Sequence, residues 1–154
     1  MLTGIQILRV AAHNYAAFEW IHHEHVGRDA GLTTSQLVVV RDVLKPAPPP
    51  SAPGLLTSLQ AAALAFADAS TKEIKVSDAI FNSFSNELNR LSGRQDVDSV
   101  HETVQNLLVE AAAVVATYNM VSRFLVSLDV AGKSNALVPW PVDRTEVHYF
   151  RFPL

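Results

Sequence analysis

The sequence predicts an all-α protein, a helical bundle of about five to six helices with an extended C-terminal tail. Three observations carry that expectation. Apolar residues recur at three- and four-residue spacing through most of the 154 residues. The interruptions fall on cap and breaker residues: Gly31, Thr33-Thr34-Ser35, Ser77-Asp78, and five prolines between Lys45 and Gly54. No stretch before the tail reads as strand-rich. The chain is expected to form one domain over residues 1–154, with a core over about 3–130 and a tail over 131–154.

The elements follow in order. Residues 3–12 place Ile5, Leu8 and Ala12 on one helical face, with Ile7 and Val10 filling in. His13-Asn14 weakens the run, and a second helix is expected from about Tyr15 to Ala30, with Gly31 just past its end. The Thr33–Ser35 run offers caps for a helix ending near Leu44. The segment from Lys45 to Gly54 is a stiff surface connection. Leu55 to Ala69 is apolar almost all round, which predicts a buried helix. After a break over Lys72–Val76, Ser77-Asp78 caps a helix to about Leu91. Gly93–Asp96 turns, and the longest helix runs from about residue 97 to Leu128. Beyond Gly132, three prolines and the alternating HYFRF of residues 148–152 end helical structure. The aromatic tail is expected to lie over its own domain or a neighbouring subunit.

Composition narrows the function classes. Apolar residues make up 49% and charged residues 18%, which points to a sizeable core and to surface covered in an oligomer. The net charge of −3 offers no basic stripe for nucleic acid. Cysteine is absent, which excludes disulfides, thiolate catalysis and Cys-based zinc sites. No targeting segment is visible, so a cytoplasmic protein is expected. Leu107–Leu128 is long enough to span a bilayer, but it contains Glu110, Asn119 and Arg123. An acid or Arg at mid-helix costs about 2.5–3.5 kcal/mol on insertion. The expectation is a buried bundle helix and no membrane partner.

Chemistry concentrates between residues 13 and 25, which hold four of the six histidines. On a helix, Glu19, His22, His23 and Val26 share one face, extended by Ala12 and Tyr15. Phe18, Trp20 and Ile21 flank Glu19, so its carboxyl is expected to be at least half buried. A buried carboxylate beside imidazole suits proton transfer near neutral pH, although a Glu–His pair one turn apart is also a common structural hydrogen bond. Glu24 and Arg28 read as solvated charges. Glu19-x-x-His22 is half of a di-iron motif, but the sequence has no second Glu-x-x-His and no His-Glu-x-x-His. No metal is expected. Glu110, Tyr118, Asn119 and Arg123 interrupt the last apolar run, and each buried polar group there needs a partner across helices or subunits.

These residues also carry a family resemblance. Ile-Leu-Arg-Val-Ala at 7–11, Phe-Glu-Trp at 18–20, His23, Gly27 and Ala-Gly-Leu at 30–32 form its first part. Val-Ser-Asp at 76–78, Glu110 and Tyr118-Asn119-x-x-x-Arg123 complete it. In this order and spacing the chain resembles the carboxymuconolactone decarboxylase-like family, related to the alkylhydroperoxidase D-like proteins. The resemblance covers about residues 3–130. It implies an alkylhydroperoxidase D-like all-helical fold and a homo-oligomer, trimer or hexamer before dimer. Redox members carry Cys-x-x-Cys-x-x-x-His on this helix. With His23 on the family histidine, Ala16 and Glu19 occupy the cysteine positions. The implied branch is therefore the cysteine-free one, working without a redox cofactor on a small organic acid or lactone, and not a peroxidase. Two features depart from the family: Gly4 stands where members commonly have glutamate, and members usually carry one or two further helices before this point.

The resulting expectation is an acid–base lyase or isomerase. His23 serves as base or acid, Glu19 as its partner and His22 as a helper. Tyr118 or Arg123 binds a substrate carboxylate or enolate oxygen, with Tyr15 and Trp20 beside them. The alternative is a non-catalytic helical oligomer that binds a small hydrophobic ligand or a protein partner.

Overall fold

Helix follows helix in the chain because each apolar stripe meets a cap or a forced break. A computed structural model describes the backbone of residues 2–92 and 97–143, and the side chains of 2–91 and 103–143. Helices α1 (Leu2–His13), α2 (Ala17–Asp29), α3 (Thr34–Arg41), α4 (Ser58–Glu73), α5 (Asp78–Ser92) and α6 (Val97–Ser127) pack together. A 3₁₀ turn at Val130–Gly132 follows them, and the described residues contain no strand. Gly93–Asp96 and the HYFRF segment lie outside the described residues.

Helix starts and stops have local causes. Thr33 and Thr57 head α3 and α4 with complete capping boxes, each closed by a glutamine three residues on, Gln36 and Gln60. Ser77 Oγ accepts from the Ile80 amide at 3.4 Å at the head of α5. Tyr15, at φ 56°, breaks α1 from α2, and Ile74, at φ 65°, ends α4. Helix α4 therefore runs through Lys72 and Glu73, where a break was expected. The proline-rich connection has no regular structure.

The core has two halves that meet at α1. Ile5, Leu8, Ala11 and Ala12 pack with Trp20, Leu32, Leu37 and Leu64 on one side. On the other, Val10 joins Phe66, Phe84, Leu88, Leu108 and Val115. Every residue from Ile5 to Ala12 is buried, because α1 touches α2, α3, α4 and α6. Helix α4 is buried along Gln60–Leu64 and Phe66–Ala69, as its all-round apolar pattern predicts.

Helix α6 differs from the expectation of a buried rod. One face, through Val104, Leu108, Ala111, Val115, Asn119 and Ser122, packs into the bundle. The opposite stripe, through Val109, Ala113, Ala116, Met120 and Phe124, is exposed. Glu110 and Arg123 are exposed too, so neither needs the buried partner that the sequence suggested. The reason is that α6 is apolar on two faces, and one protomer covers only one of them. By length and composition alone, Thr103–Ser127 could cross a membrane, a test that core helices of soluble proteins also pass.

After a turn at Ser134–Ala136, the tail over residues 137–143 runs without regular structure on its own domain. Arg41 donates to the Val138 carbonyl at 3.0 and 2.8 Å and stacks over the Trp140 ring. Arg28 holds the Val142 carbonyl at 2.9 Å.

Candidate functional site between α2 and α6

The site is built on α2, whose limits are set by two left-handed residues. Tyr15 turns the chain out of α1. At the other end Gly31, at φ 99°, closes a Schellman motif. The Gly31 amide reaches the Arg28 carbonyl at 2.9 Å, and the Leu32 amide reaches the Gly27 carbonyl at 3.0 Å. Gly27 lets α1 approach closely, since a Cβ there would come within 3.2 Å of Leu8 and Leu32 methyls. The close approach draws the first helix against α2. Glu19 itself is aimed at α6, along a short seam.

Glu19 is 2% exposed. Ser122 Oγ stands 3.1 Å from both carboxyl oxygens and 2.8 Å from the Tyr118 carbonyl. Among the described residues no cation pairs with Glu19. Burial therefore dominates and pushes its pKa up to about 8, with the Ser122 hydroxyl offsetting only part of that rise. The Ser122 hydroxyl has one proton to share between the Glu19 carboxyl and the Tyr118 carbonyl, so it supports the carboxylate only weakly.

His23 lies one turn along α2, half-buried, with its ring edge-on to Tyr118 at 5.0 Å between centroids. Burial, and then the neighbouring His22 and His25, lower its pKa. The Tyr118 phenol is pushed up by burial and by the nearby Glu19 carboxyl. Near pH 7 the seam thus holds a neutral carboxylic acid, a neutral imidazole and a protonated phenol. Such a set can donate and accept protons without first moving a charge.

The other expected site residues lie apart from this set. His22 is exposed and stacks on Phe18, with Nδ1 donating to the Phe18 carbonyl at 2.8 Å. Trp20, expected on the substrate side, is fully buried in the core, and its Nε1 donates to Glu24 at 3.0 Å. Tyr15 is exposed at the α1–α2 junction and Arg123 is exposed on α6. Glu24 and Arg28, read as solvated charges, instead form a part-buried ion pair at 2.7 Å. That pair anchors Trp20 on one side and the tail on the other. Ser122, the hydrogen-bond partner of Glu19, was missed. Its signal was its place one turn after Tyr118, on the face of α6 that also carries Asn119.

A second polar cluster, also missed, lies in the core between α1 and α4. Arg9 is 1% exposed and binds Asp68 with two nitrogens, Nη2 to Oδ2 at 2.9 Å and Nε to Oδ1. Its remaining donors reach the carbonyls of Val40, Asp42 and Lys45, each at 3.0 Å, and so satisfy the end of α3. His13 Nε2 meets Asp68 at 2.6 Å. Burial alone would raise the Asp68 pKa, but the His13 and Arg9 contacts together outweigh it and hold the carboxyl below its usual range. Every strong donor of Arg9 is spent on structure. A neighbouring network ties Asn119 to Asn14 at 3.0 Å and to Thr71 at 3.1 Å. Among the described residues no group of three or more His, Asp or Glu could hold a metal ion.

Comparison with known proteins gives no assignment: no family model, no curated protein and no solved structure matches the chain.

Proposed function

We propose that the protein is a cofactor-independent acid–base enzyme of decarboxylase, isomerase or cyclase type. Its substrate would be a small organic acid, lactone or secondary-metabolite intermediate, in keeping with the resemblance to the carboxymuconolactone decarboxylase-like family. The observation that carries the reading is Glu19, a carboxylic acid kept in the seam with its pKa raised to about 8. Glutamine would fill the same space without the cost of ionisation, and strongly perturbed acids concentrate at functional sites. In this reading His23, the more open group, takes a proton from carbon beside a carbonyl. Tyr118 donates a hydrogen bond to the enolate oxygen, and Glu19 returns a proton. The short α2–α6 contact must part for substrate to reach Glu19. Comparing metabolites of host cells with and without the gene supplies the substrate. Glu19→Gln and His23→Gln should then each lower turnover by about 10²–10⁴-fold while the protein stays folded. Full turnover in both folded variants overturns the reading.

A second reading, a non-catalytic helical oligomer, is favoured by the exposed α6 stripe. The stripe carries no charge and combines the large Met120 and Phe124 with the small Ala113 and Ala116. The proposed occupant is a second copy of this chain, whether or not the assembly is catalytic, with trimer or hexamer favoured over dimer. Sedimentation at micromolar concentration should give a multiple of 16.8 kDa that dissociates on Phe124→Glu. A stable monomer, or binding to lipid vesicles in place of self-association, contradicts it.

A further inference from the structure

A groove of about 400 Å³, not used above, is bounded by the starts of α1 and α4, by α5 and by the middle of α6. Its walls are apolar, with Leu59, Phe84, Leu88 and Leu107 prominent. At its wall lies Gln6, 1% exposed, whose side-chain Nε2 is buried with no hydrogen-bond partner among the described residues. Buried amide protons are nearly always paired, because leaving one unpaired costs stability. An apolar residue at this position would remove that cost. An amide kept beside an open apolar groove therefore points to an acceptor that comes and goes. Glu110, exposed, is the one ionisable residue among the described groove residues, and no Lys, Arg or His joins it. An anionic ligand would meet a like charge and no cation to pair with.

We propose that this groove is a binding site for an uncharged, largely aliphatic carbonyl compound, its chain lying on the leucines and its oxygen accepting from Gln6 Nε2. The volume lies within the usual range of small-molecule sites, which combine apolar walls with a few placed polar groups. The site shares no residue with Glu19, His23, Tyr118 or Ser122. It stands independently of the proton-transfer reading, and its test reads binding alone.

The experiment is a titration of isotope-labelled full-length protein with 2-undecanone at pH 7.5, followed by NMR at the Gln6 side-chain amide and the lining leucine methyls. Undecanoate of the same chain length is the charged control. The expected result is saturable ketone binding that shifts the Gln6 amide, with undecanoate at least tenfold weaker. Gln6→Leu, which removes an unpaired polar group and so should fold, is expected to weaken ketone binding about tenfold or more. Val114→Trp, which fills the groove from α6, should abolish binding. The proposal is overturned if the ketone gives no saturable shift, or if Gln6→Leu binds it as tightly as the parent. It is also overturned if undecanoate binds equally well, or if the groove signals respond only to protein concentration, as when a second copy fills it.

Discussion

Asp68 and Glu19 are both carboxylates buried among alanines and aliphatic side chains, and the fold treats them in opposite ways. Asp68, between α1 and α4, meets the Arg9 guanidinium and the His13 ring, and its pKa falls. Glu19, between α2 and α6, meets one serine hydroxyl, and its pKa rises to about 8. Burial pushes both in the same direction, so the partners decide the outcome. Asp68 is an ion locked into a structural network whose cation also closes the end of α3. Glu19 is an acid that holds a proton until pH passes neutrality. The first arrangement is too fully bonded to do chemistry. The second costs stability and leaves a proton available.

The largest test of that contrast is Asp68→Ala. It strands the buried Arg9 charge and should cost about 3–5 kcal/mol of unfolding free energy, read by urea denaturation at pH 7. A loss below about 1 kcal/mol would mean that Arg9 finds other compensation. Acid should mimic the effect: the Asp68 contribution is present above the unfolded value of 3.8 and is lost as pH falls through the lower folded value. Glu19→Gln should act with the opposite sign. The folded pKa of Glu19 lies above its unfolded value of 4.5, so stability is fully present below pH 4.5 and declines as pH rises toward 8. The variant should match the parent near pH 4 and exceed it at pH 9 by on the order of 4 kcal/mol. Equal stability at both pH values would contradict a neutral Glu19. The smallest expected effect is that of Ser122→Ala, about 1 kcal/mol lost at pH 7. Because the hydroxyl lowers the Glu19 pKa, its removal should move the carboxyl titration further up.

Both carboxylates were visible in the sequence, but only one was legible as a site. Glu19 stood out because histidines and aromatics crowd around it at helical spacing, and that placed it beside His23. Asp68 sat in an Ala-rich helix, and Arg9 in a run of Ile, Leu and Val, each an ion with no local partner. Their pairing spans two helices, and single-helix periodicity carries no information about it. The same limit hid Ser122. Trp20 was misjudged for a different reason: Glu24, one turn along its own helix, satisfies the indole, and the ring belongs to the core. The helical architecture was readable because caps and breaks are local: Thr33, Thr57 and Gly31 each act within a few residues. The left-handed backbone at Tyr15 and Ile74 was not, because a bulky residue carries no local signal for that conformation. The two apolar faces of α6 were both present in the pattern, but nothing in one chain's sequence says which face its own bundle covers.

The most direct test of the contrast is the titration of the Glu19 side-chain carboxyl itself. Carbon-13 NMR of the folded protein from pH 4 to 10, with Glu19→Gln used to assign the signal, reports its midpoint. The arrangement described here predicts a single transition near pH 8, with the Glu19 carboxyl largely protonated at pH 7. A midpoint between 4 and 5, the range of a solvated glutamate, would contradict it and would remove the neutral acid from the α2–α6 seam.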